Sequence, residues 1–287
     1  MRTCGIFTTH HMDINVTSNN NSINIIPFGD VHYGSERFAN EVWEEFLEKS
    51  RKHTNNTYFL GMGDYIDFAS SSERRSFKES SIHDSTEELL DTVAYKMTHE
   101  FFKQIKFMKK HMIGLLGGNH YWEFSDNNIS SDARLAQLMD CTFLGCTSII
   151  RLFLHYGDGE TLTVDIFASH GKGSGKLPGS AYNTVEDMSR YCVADIFLMG
   201  HDHSRGVIPG RTRLEPRFSE DLGKLDIIER TPYLGRTGSF LKGYESGKRS
   251  YVVDGHYPPS SLGSIKLKIE RVKSKKFGNH IKIHGIC

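Results

Sequence analysis

Short apolar runs recur along the chain, and each ends abruptly in glycine or serine followed by side chains able to ligate a metal ion. Residues 23–28 (INIIPF) run into Gly29-Asp30-Val31-His32, and residues 57–62 (TYFLGM) into Gly63-Asp64. Residues 112–116 (MIGLL) lead to Gly117-Gly118-Asn119-His120, residues 162–168 (LTVDIFA) to Ser169-His170-Gly171, and residues 194–199 (ADIFLM) to Gly200-His201-Asp202-His203. Each run has the length and the Ile/Leu/Phe/Val content of a strand buried in a sheet. Between them the spacing changes to that of helices. Phe38, Val42, Trp43, Phe46 and Leu47 predict a helix over 35–53. Leu89, Val93, Met97, Phe101, Ile105 and Met108 predict another over 85–110, opened by the capping box Ser85-x-x-Glu88. Asn183-x-x-Glu186 predicts the start of a third. Alternating strands and helices predict an α/β domain, in which ligands gather at the carboxyl ends of the strands. All five polar clusters fall at that end.

After His203 the texture changes. Residues 205–230 are polar and contain prolines, and 233–241, 249–253 and 264–272 have strand character between glycine-containing turns. The expected organisation is a loosely ordered N-terminal segment (1–22), then one domain over 23–287. Within it, 23–205 is the core bearing the polar clusters and 206–287 a β-rich completion. Lys266, Lys268, Arg271, Lys273, Lys275, Lys276 and Lys282 make the end of the chain basic, as on a solvated edge strand or a patch that steers a polyanion.

Composition narrows the class only slightly. Hydrophobic content of 38% and charged content of 24% suit a soluble globular protein. The 35 basic and 35 acidic residues cancel, so the molecule lacks the positive field of a dedicated nucleic-acid binder. The 5 cysteines form no CxxC pair and no disulfide framework, which fits a reducing compartment. No signal-like segment opens the chain, and no run approaches the ~20 apolar residues that span a bilayer. A cytoplasmic location and no membrane partner are therefore expected. The 15 histidines change the picture more, because five of them lie in the strand-end clusters.

In chain order these clusters read DxH, GD, GNH, HG and GHxH. A lone histidine after a strand is usually a core or loop residue, and a lone GD is usually a turn. Together they supply hard carboxylate and amide oxygens with imidazole nitrogens, a donor set suited to Mn, Fe, Zn or Ni. Two such cations about 3.5–4 Å apart can clamp the attacking and leaving oxygens of a phosphate ester.

With these motifs, residues 23–205 resemble the calcineurin-like metallophosphoesterase superfamily. The resemblance implies an αββα sandwich, two mixed β-sheets flanked by helices. It also implies two divalent cations (Mn, Zn or Fe). One would sit on Asp30, His32 and His203, the second on Asn119, His170 and His201, with Asp64 bridging them and a metal-bridging water or hydroxide as nucleophile. His120 matches the histidine beside the leaving group, and Asp67, the second acid of GDYID, the carboxylate that keeps that histidine protonated. Asp67 could equally be an acid at a helix N-terminus. Asp202 could orient a ligand imidazole or point to solvent.

The pattern departs from protein serine/threonine phosphatases, which carry Arg where this chain has Phe68 and Glu where it has Tyr121. Tyr33, Tyr65, Tyr121 and Trp122 suit a substrate with a planar base, or else core packing. The loop from His170 to Leu177 resembles a P-loop but lacks its first glycine and final Ser/Thr, leaving Lys172 and Lys176 available to substrate oxygens. Residues 69–84, with Arg74 and Arg75, form either a phosphate-gripping lid or a solvated loop. The expected function is a phosphodiesterase or nuclease acting on nucleotides or nucleic acid. The alternatives are a small-molecule phosphomonoesterase, a non-catalytic scaffold of the same fold, and an unrelated mononuclear zinc hydrolase.

Overall fold

The computed structural model describes residues 5–16, 21–52, 55–80, 83–126, 128–173, 175, 177–219, 223–244, 247, 251–254, 259, 261–273 and 279–287. The apolar runs form strands β2 (Ser22–Phe28), β3 (Thr57–Gly61), β4 (Met112–Leu115), β6 (Thr161–Ser169) and β7 (Ile196–Met199), joined by β1 (Thr8–Val16) and β5 (Thr147–Tyr156). The helices are α1 (Asn40–Lys52), α2 (Ser71–Ser80), α3 (Asp84–Ile105), α4 (Ser131–Met139) and α5 (Pro178–Asp187), with 3-10 turns at Lys106–His111 and Met188–Arg190. The remainder supplies β8 (Arg205–Pro209), β9 (Arg213–Ser219), β10 (Lys224–Arg230), β11 (Tyr233–Ser239), a short α6 (Tyr251–Asp254), β12 (Gly263–Ser264), β13 (Lys266–Val272) and β14 (His280–Ile286). No helix among the described residues is long and apolar enough to cross a membrane.

Two mixed sheets result. One runs β14-β13-β2-β3-β4, and the other β1-β5-β6-β7-β11-β12 with β8 also paired to β11. Strand period explains how they stack. In β3, Leu60 joins Ile23, Ile25, Ile166, Leu198 and Leu267 in the layer between the sheets, while its neighbour Phe59 faces the other way. There Phe59 packs with Trp43 of α1, Phe101 and Ile105 of α3 and Leu135 of α4. In β7, Ile196 and Leu198 point inward, and Phe197 and Met199 pack against Val185 of α5 and Met188. Alternation along each strand thus builds helix, sheet, sheet and helix layers. Burying each large apolar side chain contributes roughly 1.5–3 kcal/mol.

Several expectations need correction. Residues 8–16 are not loose; β1 pairs in parallel with β5 and buries Ile14 and Val16 in the inter-sheet layer. Polar residues alternating with apolar ones, as suits an edge strand, hid it, and β5 with its exposed Arg151 was missed likewise. Residues 71–80 form α2 although serine-rich and Asp84 begins α3, so the loop expected over 69–84 shrinks to the flanks of α2. Asn183 lies inside α5, which begins at Pro178. The α3 cap is His83, whose ring accepts from Ser85 N at 3.2 Å, in place of the Ser85–Glu88 box. Residues 251–254 are helical where a strand was expected, and Arg249 lies outside the described residues. The polar stretch 205–230 contains three strands, with β9 and β10 forming a separate hairpin. The C-terminal part enters both sheets, β8, β11 and β12 one and β13 and β14 the other.

Candidate metal centre

The loops after β2, β3, β4, β6 and β7 converge at one rim of the sandwich and are tied to each other by main-chain bonds. Asp30 N donates to Gly63 O at 3.0 Å, Val31 N to Asp64 O at 2.8 Å, and Leu116 N to Gly61 O at 2.9 Å. Gly200 N donates to His170 O at 3.1 Å, and Asp30 O accepts from Phe240 N and the Ser239 hydroxyl, each at 2.9 Å. Such close approach explains the glycines of the motifs. Gly63 has φ +95, and a Cβ there would lie 2.7 Å from both Gly118 Cα and His170 Nδ1. A Cβ on Gly118 would run into the Asp64 carboxylate.

Asp30, His32, Asp64, His201 and His203 all have positive φ, at 46°, 50°, 50°, 70° and 60°. Left-handed backbone is uncommon outside glycine, although Asp and His adopt it more readily than most, and it costs on the order of 1–3 kcal/mol per residue, so it persists only where surroundings enforce it. Here the enforced turns direct five side chains into one buried space.

Two clusters form there. The ligand atoms of Asp30, His32 and His203 lie within 4.8 Å of one another, as do those of Asp64, His170 and His201. Asn119 Oδ1 adjoins the second cluster, 2.9 Å from His170 Nε2 and 2.7 Å from His201 Nδ1. Asp64 stands between the two, with Oδ2 3.3 Å from His170 Nε2 and 3.8 Å from His32 Nε2. Its Oδ1 accepts the N–H groups of Asn119 at 2.7 Å and His120 at 2.8 Å, which fixes the carboxylate's orientation.

Three observations fit this space to divalent cations. Asp30 Oδ1 and His32 Nε2 are buried with no hydrogen-bond partner among the described residues. Leaving such a group unsatisfied costs about 1–3 kcal/mol, a cost that a bound cation removes. His170 Nδ1 faces Met62 O at 2.9 Å, so a proton on Nδ1 leaves the Nε2 lone pair toward Asp64 and Asn119. Burial pushes His203 down to about 3 and His201 below the ordinary value, favouring the neutral imidazole that binds metal. The same burial pushes Asp30 up, with Asp64 adding to it. For His170, burial opposes charge, yet Asp64 holds it well above the usual histidine range. The carboxylates therefore draw positive charge into the space, and carboxylate, amide and imidazole donors suit borderline divalent metals.

His32, Asp67 and His120 make a third group within 4.8 Å. Asp67 Oδ1 lies 2.9 Å from His32 Nδ1 and 3.2 Å from His120 Nδ1. Burial would raise the Asp67 carboxyl, but its hydrogen bonds to His120 and His32 hold it well below the usual range. Burial lowers His120; the bond to Asp67 and the charge of Asp64 outweigh it, and its pKa ends above the ordinary value. The Phe68 carbonyl adjoins the same Nδ1 at 3.3 Å.

The remaining candidates are distributed unevenly. Arg74 of α2 directs Nη1 at the carbonyls of Ala69, Asn119 (2.9 Å) and Tyr121 (3.1 Å), and its guanidinium lies 3.7 Å above the Tyr121 ring. Its donors thus face the main chain of the GNH loop. Arg75 and Lys172 are exposed, and Lys176 lies outside the described residues. Tyr65 is wholly buried and donates to Leu116 O at 2.8 Å, Tyr33 packs on Phe38 and Phe101, and the Trp122 indole donates to Asp91. Of the four aromatics, Tyr121 alone is outside the core clusters.

Sequence reasoning missed two supports. Asp132 Oδ2 accepts from Gly118 N at 2.8 Å, and burial pushes its carboxyl up to about 7. Arg236 lies wholly buried in β11 beneath the GHDH turn. A charged residue inside the strand-like run YLGRTGSFL was the available signal. A cleft of about 620 Å³ lined by Asn183, Arg190, Arg211 and Arg213 shares no residue with the metal centre.

No protein-family model and no curated protein sequence matches the chain. Among solved structures, it is similar to Vps29 of Chaetomium thermophilum, at 10% identity and TM-score 0.37, over 92% of this chain and 97% of that one. It is also similar to the calcineurin-like phosphoesterase YfkN of Bacillus subtilis, at 12% identity and TM-score 0.36, over 92% and 90% of the two chains. Likeness at these scores carries no argument about function.

Proposed function

We propose that this protein is a calcineurin-like metallophosphoesterase that hydrolyses phosphate esters with two divalent cations, and that its substrates are phosphodiesters of nucleotides or nucleic acid. The observation that carries the reading is the meeting of two ligand clusters at one carboxylate, that of Asp64. Asp30, His32 and His203 would hold one cation, Asn119, His170 and His201 the other, and Asp64 both. When bound, the cations would supply Lewis acidity that activates water and offsets charge on the phosphoryl oxygens.

The other steps belong to the chain's own side chains. With Nδ1 held on Asp67, His120 keeps a proton on Nε2 that it can pass to the departing oxygen. Asp67 orients that imidazole and favours its charged form. Asp64, gripped by two N–H groups, keeps its place as ligands exchange. Lys172, on a glycine-rich loop, offers a cation to a non-bridging oxygen. Preference for a diester rests on Phe68 standing where a phosphate-gripping arginine would act on a dianionic monoester.

The test is a parallel assay of the protein loaded with Mn, Zn or Fe against single-stranded DNA, RNA, cyclic nucleotides, and aryl mono- and diesters. The reading expects turnover of a nucleotide or nucleic-acid diester above that of aryl monoesters. The reverse order would replace the diesterase with a phosphomonoesterase.

A further inference from the structure

Arg236 occupies a place where a charge is expensive. Its side chain is wholly buried in β11, and an uncompensated charge at such a site costs several kcal/mol. Three acceptors surround it. Nε donates to the Ala181 carbonyl of α5 at 3.0 Å and Nη1 donates to the Gly200 carbonyl at 2.9 Å, while Nη2 makes no hydrogen bond among the described residues and meets Asp202 Oδ2 as an ion pair at 3.3 Å. Two of these three belong to the Gly200-His201-Asp202-His203 turn. Asp202, whose side chain is 6% exposed, accepts from Ser204 N at 3.0 Å with its other oxygen. Asp202 is therefore buried instead of pointing to solvent, and it ties the turn to the arginine below.

The turn needs such a tie. His201 and His203 flank Asp202 and both hold left-handed backbone, φ 70° and 60°. Released from restraint, each gains by returning to an ordinary conformation, which would swing its imidazole away. The two rings serve different clusters. His201 Nδ1 lies 2.7 Å from Asn119 Oδ1 and 3.2 Å from His170 Nε2, whereas His203 Nε2 lies 3.7 Å from Asp30 Oδ1. One guanidinium thus underlies a ligand of each.

We infer that Arg236, acting through Gly200 and Asp202, is the positioning residue that holds His201 and His203 ready for metal and so sets the affinity of both clusters together. This rests on the metal-centre reading and adds a residue that touches neither cation. Lysine cannot replace it, because one ammonium cannot reach acceptors on α5, the Gly200 carbonyl and Asp202 with the geometry of a planar fork.

The test uses the full chain, stripped by chelator, and titrates Mn(II) by calorimetry and Co(II) by visible absorption, with circular dichroism and melting of the apo form alongside. Asp202→Asn keeps the size and an acceptor for Ser204 N but removes the charge, and Arg236→Lys keeps the charge but removes the fork. Both variants should bind the first and the second Mn(II) about 10–100-fold more weakly, as for other groups that orient metal ligands. The Co(II) spectrum, which reports ligand geometry, should change shape. Affinity within twofold of the unaltered protein, with an unchanged spectrum, overturns the inference even if the melting temperature falls. Weakening of one ion alone overturns the claim that both clusters are set together. Should Arg236→Lys fail to fold, Asp202→Asn decides by itself. An unaltered protein that binds neither metal would overturn the metal-centre reading itself, an outcome distinct from the others.

Discussion

His120 and Asp67, in contact at the rim of the sandwich, are the pair on which the proposed acid catalysis rests. Asp67 shares one oxygen between a candidate metal ligand, His32, and the candidate acid, His120. Because the His120 pKa is raised, its protonated form persists to higher pH than that of a free histidine, whose pKa is about 6.5. The protonated form is the one that donates, so kcat should fall as pH rises through the raised value. His120→Asn should lower kcat by about 10²–10⁴-fold, erase that alkaline limb and retain metal. A variant that loses its metal instead would make His120 a ligand, as a kcat–pH profile with parallel metal analysis would reveal. At this scale the candidate ligands stood out in the sequence because their chemistry is unusual: carboxylate, amide and imidazole rarely follow strand after strand. Arg236 and Asp132 did not, and Arg74 was singled out for phosphate although its donors face the main chain, because these partners lie far away in sequence.

At the level of elements, helix α2 turns a serine-rich stretch into a brace. Its Arg74 holds the carbonyls of Asn119 and Tyr121, on either side of His120, and stacks on the Tyr121 ring. Arg74→Ala should therefore misplace His120 and lower kcat by about 10–100-fold while leaving KM nearly unchanged, since displacement by an ångström weakens catalysis on that scale. A rise in KM with kcat intact would return Arg74 to the role of a substrate contact. Steady-state kinetics on one substrate separates the two. Strands with continuous apolar runs were readable at this level; β1, β5, β9 and β10 were not. In β1 the alternation follows from lying at a sheet edge against the distant β5, and in β9 and β10 from forming a separate hairpin; β5, between β1 and β6, buries one face in the inter-sheet layer.

Over the whole molecule, the inter-sheet layer joins residues from both ends of the chain. Ile14 and Val16 of β1 meet Ile265, Leu267, Ile269 and Ile283 in the same cluster as Leu60 and Leu198. The C-terminal strands are consequently part of the core. A chain cut after residue 205 should aggregate or fail to fold, because β2 loses β13 and β7 loses β11. A cooperatively melting, monomeric fragment would show that residues 206–287 are dispensable. The layered α/β architecture was legible from alternating strand and helix patterns, whereas the assignment of the C-terminal strands to both sheets was not, since β13 pairs with β2 at the other end of the chain and such pairing leaves no local mark.

The claim on which the rest depends is that two cations are held through one shared carboxylate. Metal analysis of the full chain after reconstitution with Mn(II) and removal of excess, set beside Asp64→Ala, tests it most directly. The account predicts two ions per unaltered chain, and for Asp64→Ala a folded protein that retains at most one and hydrolyses no phosphate ester. One ion or none in the unaltered protein, or full loading and activity in Asp64→Ala, would contradict it.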